Sequence, residues 1–271
     1  MIELEIGRTH KVLLEILKDI DAFCREEGLR YCLSHGTLLG AVRHHGFIPW
    51  DDDADIFMPR PDFMRFVEIY NRSRGDSPYR CVYREGVDGL ELYVGFAKVS
   101  DLRTVVVGQD GKEHTYGVNV DIFPVDGTPE DPVERERFAR RASHFAHRVY
   151  LRGCAFFPVN FHNPLIPLVS AHLHSRGYWI SKLENYVLQY DFDKSGVVWD
   201  VCERYDLNHP IPKAFFDNLV DMEFEGCLLK GFADADSYLT TQYGDYMTPP
   251  PESQRQIHHT GTFWREDNWP F

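Results

Sequence analysis

The chain has 271 residues and a formal net charge of −13 at pH 7, with 43% hydrophobic and 26% charged residues. This composition excludes a disordered or low-complexity protein, and the length permits one large domain or a catalytic domain with a second lobe. The negative charge excludes a nucleic-acid-binding protein held by broad phosphate contacts, because such affinity comes from Lys and Arg side chains. An anionic ligand would therefore need cations concentrated at its own site.

The cysteine pattern and one uncharged segment bear on where the protein acts. Six cysteines are dispersed without a CxxC pair, and no signal peptide is recognisable, which predicts free thiols in a cytoplasmic protein. Residues 153–175 include no Asp, Glu, Lys or Arg, but three prolines make a continuous membrane span unfavourable. We interpret this segment either as buried core or an apolar loop, or as a contact with the inner face of the membrane or a lipid-linked substrate.

Helical and strand-like patterns alternate in the first part of the chain. Apolar residues at helical spacing predict an amphipathic helix over residues 9–26, ending near Gly28. A short apolar run at 29–34 predicts a strand, followed by a turn at His35-Gly36-Thr37 and a helix over 38–43. After a loop containing Gly and Pro, residues 53–58 predict another strand. Further strands are expected at 79–84, 90–99, 104–107 and 117–123, the last ending at Pro124-Val125-Asp126-Gly127.

The pattern changes near residue 130. Helical spacing predominates beyond it, at 134–150, 179–190 and 215–225. The sequence therefore predicts an α+β fold, with a mixed sheet and flanking helices in residues 1–130. A mostly helical region, residues 131–271, would pack on that core and complete the substrate site.

A run of aspartates between residues 51 and 55 has the strongest chemical signal. Alternate side chains of a strand share a face, so Asp53 and Asp55 would lie about 7 Å apart and could bind one divalent cation or a pair. Oxygen ligands suit Mg²⁺ or Mn²⁺, and two such ions can stabilise both oxygens of a phosphoryl displacement. This run predicts metal-assisted chemistry on a phosphorylated substrate.

Three other interpretations of the aspartates were weighed. An EF-hand would place Asp51, Asp53 and Asp55 at loop positions one, three and five, but the sixth position, which requires Gly, is Ile56. A zinc site is disfavoured because the His and Cys residues lack ligand spacing. The third interpretation, a solvated acidic turn without a metal, remains an alternative to the metal site.

Phosphate-binding groups are predicted just before the aspartates. The backbone N–H groups of Gly36-Thr37, at the start of a helix, can bind phosphate. Arg43 and Lys98 are candidates for the local cation, although each could equally be an ordinary surface charge.

Asp121 is a third candidate carboxylate. It stands inside the apolar run Val118-Asn119-Val120-Asp121-Ile122-Phe123, where an unpaired charge would be costly to bury. A metal or a hydrogen-bonded cation is therefore expected beside it if the strand is central.

These segments together resemble the LicD family, which includes fukutin and fukutin-related protein, within the nucleotidyltransferase-fold superfamily. The resemblance spans roughly residues 30–260 and is carried by four blocks. The blocks are Gly36-Thr37-Leu38-Leu39-Gly40-Ala41-Val42-Arg43, Gly46-Phe47-Ile48-Pro49-Trp50-Asp51-Asp52-Asp53-Ala54-Asp55-Ile56, Val120-Asp121-Ile122-Phe123-Pro124-Val125-Asp126-Gly127, and Tyr238-Leu239-Thr240-Thr241-Gln242-Tyr243-Gly244-Asp245-Tyr246-Met247 with the prolines after it.

The resemblance implies a nucleotidyltransferase-like core and a role for each block. Gly36 with Thr37 would hold the donor phosphates, Asp53 with Asp55 would bind the metal, and Asp121 would complete the site as a further ligand or as the base. Asp51 and Asp52 would then be supporting or alternate ligands.

The resemblance also implies the reaction. A CDP-alcohol, CDP-choline foremost, would donate its phospho-alcohol group to a sugar hydroxyl of a cell-surface glycan, such as lipopolysaccharide or teichoic acid, or of its lipid-linked precursor. CMP would be released. Choline's ammonium favours aromatic contacts, with Trp50 nearest in sequence, whereas ribitol or glycerol would need polar groups. The alternatives are a nucleotidyltransferase that releases pyrophosphate from an NTP, and a non-catalytic glycan-binding scaffold, against which the three aspartates together argue.

Overall fold

The computed structural model describes residues 2–84, 95–107, 116–153, 165–201, 209–255, 262–265 and 270. The first helix, α1 (Ile6–Glu27), confirms the predicted amphipathic helix, and its predicted apolar face is buried. It ends at Gly28, whose φ of 67° lies in the left-handed region that glycine adopts without steric cost. The helix packs on the sheet that carries the site.

A seven-stranded mixed sheet forms the centre of the described structure. Five strands follow one another across it in the order β2 (Cys32–Leu33), β3 (Asp55–Pro59), β7 (Asn119–Gly127), β5 (Ala97–Asp101) and β4 (Tyr79–Val82). Strands β3 and β7 are parallel, whereas the other neighbours in this row are antiparallel. The far end of β7 pairs with β8 (Val197–Trp199), which pairs in turn with β9 (Ile211–Pro212).

Smaller elements surround this sheet. Helix α2 (His35–His44) connects β2 to β3, and α3 (Arg60–Ser73) follows β3 directly. A second sheet contains β1 (Ile2–Glu3), β12 (Thr262–Trp264) and β6 (Thr104–Val106), so the end of the chain returns to its beginning. The α+β class with a mixed sheet and flanking helices is confirmed.

The helices α4 (Pro132–Gly153), α5 (Leu165–His172) and α6 (Arg176–Val187) pack together after residue 130. Helices α4 and α6 confirm the helices predicted at 134–150 and 179–190, and share a hydrophobic cluster that includes Phe138 and Leu183. Residues 154–164 of the uncharged segment lie outside the described residues. None of the described helices is both long and apolar enough to cross a membrane.

The prediction of a helix at 215–225 is wrong. A four-residue helix, α7 (Ala214–Asp217), gives way to β10 (Leu219–Phe224), which pairs with β11 (Cys227–Phe232). The two residues that join these strands, Glu225 and Gly226, both have positive φ, as the favoured two-residue hairpin turn requires. The spacing of the apolar residues is compatible with a helix, but the turn at Glu225 and Gly226 and the pairing with β11 give a β-hairpin.

The largest hydrophobic core contains side chains from both sides of residue 130. Phe192, Phe216, Tyr238 and Trp264 pack with residues of α1 and the central sheet. Helix α8 (Ala235–Tyr243) belongs to this returning part of the chain.

Two other expectations concern strand bounds and thiols. Of the strand predicted at 90–99, residues 90–94 lie outside the described residues, and the strand described there is Ala97–Asp101. The predicted end of the strand at 117–123 is wrong, because β7 continues through Gly127 alongside β3 and β8. Four cysteines are free thiols, as predicted: Cys24, Cys32, Cys81 and Cys227. Cys154 and Cys202 lie outside the described residues.

Candidate active site

Strand register brings two of the predicted aspartates side by side. Asp55, the first residue of β3, pairs with Asp121 on the parallel strand β7. Lys98 on β5 pairs with the same Asp121 from the other side. Neighbouring strands lie about 4.8 Å apart and paired residues share a face, so the three side chains form one row across the sheet. The fold therefore brings together three side chains that are far apart along the chain.

Lys98 is the partner that Asp121 was expected to need. The Lys98 Nζ donates to Asp121 Oδ1 at 2.5 Å and to Asn119 Oδ1 at 2.9 Å. The Lys98 and Asp121 side chains are only 16% and 18% exposed. The ammonium also lies 5.3 Å from the centre of the Phe96 ring. Of the two partners that the sequence left open, metal or cation, the structure provides the cation, and the metal remains a prediction.

A cavity of about 90 Å³ opens beside this pair. Its polar lining includes three carboxylates, Asp52, Asp53 and Asp121, against one ammonium, Lys98. Such an excess of negative charge in a partly enclosed space favours a cationic ligand. Asp53 lies before the strand rather than within it, because β3 begins at Asp55, so the predicted start of this strand is two residues too early.

The predicted turn at Gly36-Thr37 is the first turn of α2. The helix begins at His35, and Leu38 N donates to Ser34 O at 3.0 Å, so no separate turn precedes it. The Thr37 Oγ1 accepts a hydrogen bond from Asp55 N at 2.8 Å. Thr37 therefore ties the helix to the residue that begins β3, and so helps to position Asp55.

Asp51 lies at the same helix end but away from the cavity lining. A Cβ added to Gly36 would stand 2.7 Å from Asp51 Oδ2, so the carboxylate rests against the glycine backbone. The N-terminal end of a helix attracts negative charge. Asp51 and Asp52, grouped together by the sequence, thus have different positions: Asp52 lines the cavity, and Asp51 contacts the helix start.

His35 is buried at the start of α2. Its ring packs edge-on against Phe57 of β3 and Phe123 of β7, with centroids 4.9 Å and 5.0 Å away. Burial lowers the pKa of His35 to about 4, so the ring is neutral near pH 7. The sequence pattern predicts only a turn at His35 and gives no sign of this burial.

Arg43 and Trp50 belong to a second group of side chains. The Arg43 Nη1 donates to Tyr246 O at 2.6 Å, which joins α2 to the C-terminal segment. The Arg255 guanidinium lies 4.5 Å from the centre of the Trp50 ring. Burial lowers the pKa of Arg43, and the charge of Arg255 acts in the same direction. Neither arginine forms an ion pair with a carboxylate in the described part of the chain, so both cations can serve an anionic ligand.

Residues 28–172 match the family model described as LicD/FKTN/FKRP, nucleotidyltransferase domain. That range covers more than half of the chain. The chain belongs to the LicD family. The resemblance inferred from the four sequence blocks is therefore confirmed.

Individual relatives extend the LicD-family match. The chain is 29% identical over 268 residues to lipopolysaccharide cholinephosphotransferase LicD of Haemophilus influenzae, covering 96% of this chain and 97% of that protein. Shorter stretches also match other proteins. One is 42% identical over 57 residues to an uncharacterized protein of Rickettsia typhi, and it covers 21% of this chain and 18% of that protein. Another is 27% identical over 110 residues to mannosyltransferase regulator 4 of Saccharomyces cerevisiae, and it covers 41% of this chain and 9% of that protein.

The C-terminal block of this LicD-family chain packs on β3 two residues beyond Asp55, on the same face of the strand. The Tyr238 ring meets Phe57 of β3 edge-on, with centroids 6.4 Å apart. Burial raises the pKa of the Tyr238 phenol, and the carboxylates of Asp200 and Asp55 act in the same direction. The block thus contacts the strand that begins with Asp55.

The metal prediction rests on ligand chemistry. Carboxylate oxygens are the ligands that hard cations prefer, and the cavity lining provides them. Within the described residues, no three or more His, Cys, Asp or Glu side chains are already grouped as a metal site. The donor atoms fit Mg²⁺ or Mn²⁺, but they are not collected around a common point.

Sequence reasoning missed Asn119 and Arg255. Asn119 lies two residues before Asp121 on the same strand, so the two-residue period of a strand could have placed it beside Lys98. Arg255 carries no comparable local signal, because only the fold brings the C-terminal segment to Trp50.

Proposed function

We propose that this protein is a LicD-type phosphocholine transferase that moves phosphocholine from CDP-choline to a sugar hydroxyl of lipopolysaccharide or its lipid-linked precursor. The hydroxyl oxygen bonds to the choline-bearing phosphorus, the bond from that phosphorus to CMP breaks, and the hydroxyl proton passes to a base. The observation that carries the proposal is the similarity over nearly the whole chain to the Haemophilus influenzae lipopolysaccharide cholinephosphotransferase. Because the free cysteines are typical of a cytoplasmic protein, we place the reaction on the cytoplasmic side.

Two carboxylates of the cavity lining, Asp53 and Asp121, would hold the metal together with Asp55, which pairs with Asp121 in the sheet but is not among the described lining residues. Asp53, Asp55 and Asp121 would bind Mg²⁺ or Mn²⁺, which when bound offsets the charge of the donor diphosphate. Thr37 holds the backbone of Asp55, and Lys98 holds the carboxylate of Asp121. Asp121 is also the candidate for the base that accepts the hydroxyl proton, because its position in the row sets it beside the other carboxylates.

The second group of side chains would hold the donor. Arg43 and Arg255 are cations without a described carboxylate partner, which suits a diphosphate. Gly36 and Thr37 would add backbone N–H groups at the start of α2. Trp50 already has a cation over its ring in Arg255, the interaction that the quaternary ammonium of choline favours. Residues 131–271 would complete this site through the segment that ends at Arg255.

The direct test is incubation with CDP-choline and lipopolysaccharide acceptor, in parallel with CTP and the same acceptor. Mg²⁺-dependent CMP release with choline on the glycan supports the proposal. Pyrophosphate release from CTP would instead support the nucleotidyltransferase alternative. If calorimetry detects no Mg²⁺-dependent binding of a CDP-alcohol or nucleotide, the scaffold alternative replaces both.

Asp53→Asn tests the metal role. It should abolish turnover while leaving the thermal unfolding midpoint unchanged, because Asp53 is half-buried and lies outside the strand. Asp76→Asn, an exposed aspartate elsewhere, is the control with the same charge change. Full activity in Asp53→Asn would contradict the proposed role.

The identity of the donor alcohol has its own test. A thermal-shift screen of CDP-choline, CDP-ribitol and CDP-glycerol with Mg²⁺ should show the largest shift with CDP-choline, because a ligand that binds only the native state stabilises it in proportion to ln(1 + [L]/Kd). A larger shift with CDP-ribitol or CDP-glycerol would replace choline in the proposal.

A further inference from the structure

Helix α4 concentrates positive charge in an otherwise acidic chain. It carries six arginines against two glutamates, whereas the whole chain has a net charge of −13. Its buried side includes Phe138, Ala142 and Val149. Its exposed residues recur every three or four positions, which places them on one face of the helix: Arg137, Arg140, Arg141, His144 and His147.

The charges on this face are largely available for an external partner. Arg140 pairs with Glu136 at 2.8 Å, but Arg137 and Arg141 form no ion pair with any residue that the structure describes. The Arg141 guanidinium lies 5.9 Å and 5.8 Å from the Phe145 and Tyr186 ring centres. By contrast, the buried Arg60 is paired with a buried carboxylate, Asp126.

Exposed apolar side chains lie next to the C-terminal end of the same helix. The Arg152 Nε donates to His174 O at 3.2 Å, which sets the loop between α5 and α6 against α4. Leu173, in that loop, is 73% exposed, and Tyr150 on α4 is 46% exposed. Tyr150 lies nine residues after Arg141 and therefore on the opposite side of the helix, so we define the basic-apolar face as the exposed α4 residues Arg137, Arg140, Arg141, His144 and His147 together with Leu173.

We propose that the basic-apolar face binds the surface of an anionic lipid bilayer. Cations of Arg are attracted to anionic headgroups, and an exposed Leu side chain enters the boundary between headgroups and acyl chains. The bilayer is favoured over a soluble polyanion because a soluble polyanion would use the arginines but leave Leu173 without a role. The face lies on the helical region rather than at the catalytic cavity, so the proposal goes beyond the transferase reaction.

The test measures co-sedimentation of the full chain with two kinds of vesicle, phosphatidylcholine alone and phosphatidylcholine mixed with phosphatidylglycerol. The protein should sediment with the anionic vesicles, and less so as salt is added. The triple variant Arg137→Gln/Arg140→Gln/Arg141→Gln should lower the partition coefficient by about 100-fold, since each charge near such a surface contributes a factor of about five. Leu173→Ser should weaken binding several-fold further.

The matched control replaces three exposed basic residues elsewhere, Lys11, Arg72 and Arg80, by Gln and should retain wild-type binding. The proposal is overturned if the wild-type protein ignores anionic vesicles or if the two triple variants lose binding equally. It is also overturned if Arg137, Arg140 and Arg141 bind a soluble phosphorylated glycan or RNA but no vesicle. Vesicle binding needs no turnover, so a failure of the transferase assay leaves this test interpretable.

Discussion

A charge pair lies near each end of the parallel strands β3 and β7, one between Arg60 of α3 and Asp126 and the other between Lys98 of β5 and Asp121, and the two pairs differ in burial and charge balance. At one end Arg60 donates to both oxygens of Asp126, at 2.6 Å and 2.8 Å, with the side chains 5% and 1% exposed. At the other end Lys98 contacts one oxygen of Asp121 beside a cavity lined by further carboxylates. The first pair is closed to solvent and balanced in charge.

The difference in burial and in charge balance distinguishes a structural ion pair from a candidate catalytic one. A bidentate Arg–carboxylate pair uses both partners fully, so it can fix β3, α3 and β7 in place but has no oxygen left for a ligand. The Lys98 end has more carboxylates than ammonium groups, so binding a cation or a cation with phosphates relieves repulsion there. The predictions below test this division.

Asp121→Asn should have the largest effect on activity. We expect a loss of at least about 1,000-fold in kcat/KM, equivalent to about 4 kcal/mol, since metal and proton-transfer roles are each worth several kcal/mol. Stability should fall by about 1 kcal/mol or less, because removing the charge also relieves carboxylate repulsion. Steady-state kinetics and urea unfolding measure the two effects. A large loss of stability would place Asp121 with the structural pair instead.

Asp126→Asn should have the opposite profile. The substitution keeps the side-chain volume but leaves the Arg60 charge buried without a countercharge, which costs about 3–5 kcal/mol of unfolding free energy. Urea denaturation measures this loss. The double variant Arg60→Met/Asp126→Asn should recover part of the loss, because no isolated charge remains. Equal stability of Asp126→Asn and the wild type would mean that the pair is not structural.

His35 lies between the two charged ends and predicts a pH dependence. Its neutral ring packs on the paired residues Phe57 and Phe123, and its pKa in the folded protein is about 4, against about 6.5 in an unfolded chain. The unfolded state therefore binds the proton first as pH falls. This contribution to stability is intact above about pH 6.5 and decreases by about 3 kcal/mol as pH falls to about 4.

The variant His35→Gln removes this titration. Unfolding free energies of the wild type and His35→Gln, measured between neutral pH and pH 4, should converge as the pH is lowered, because other titrating groups are shared. Parallel curves for the two proteins would show that His35 is not the buried neutral group that the packing indicates.

Two glycines of α2 should respond differently to alanine. A Cβ on Gly40 would stand 2.4 Å from the backbone oxygen of Gly46, so the loop would have to move, at a cost of about 1–3 kcal/mol. A Cβ on Gly36 meets only the Asp51 side chain, which can rotate, so Gly36→Ala should cost less than about 1 kcal/mol. Thermal unfolding compares them, and an equal loss of stability would contradict a side-chain contact at Gly36.

Local sequence patterns are enough to predict several helices and strands and the candidate carboxylates. The helix of α1 and its buried face follow from the periodicity of apolar residues, and the isolated charge of Asp121 in an apolar strand indicated that a partner was required. Local pattern failed where two structures fit it equally well. At 215–225 the apolar spacing suits a helix, but the turn at Glu225 and Gly226 and the partner strand give a hairpin.

Which charged side chains contact one another depends on the tertiary fold. The pairing of Asp55 with Asp121, of Lys98 with Asp121, and of Arg60 with Asp126 depends on the register of strands that are far apart along the chain. Arg255 reaches Trp50 only because the C-terminal segment packs beside the end of α2. Register is set by the packing of both faces of β3, where Ile56, Phe57 and Met58 are all buried, since a shift of one residue would move every side chain to the opposite face. No local stretch of residues contains that constraint.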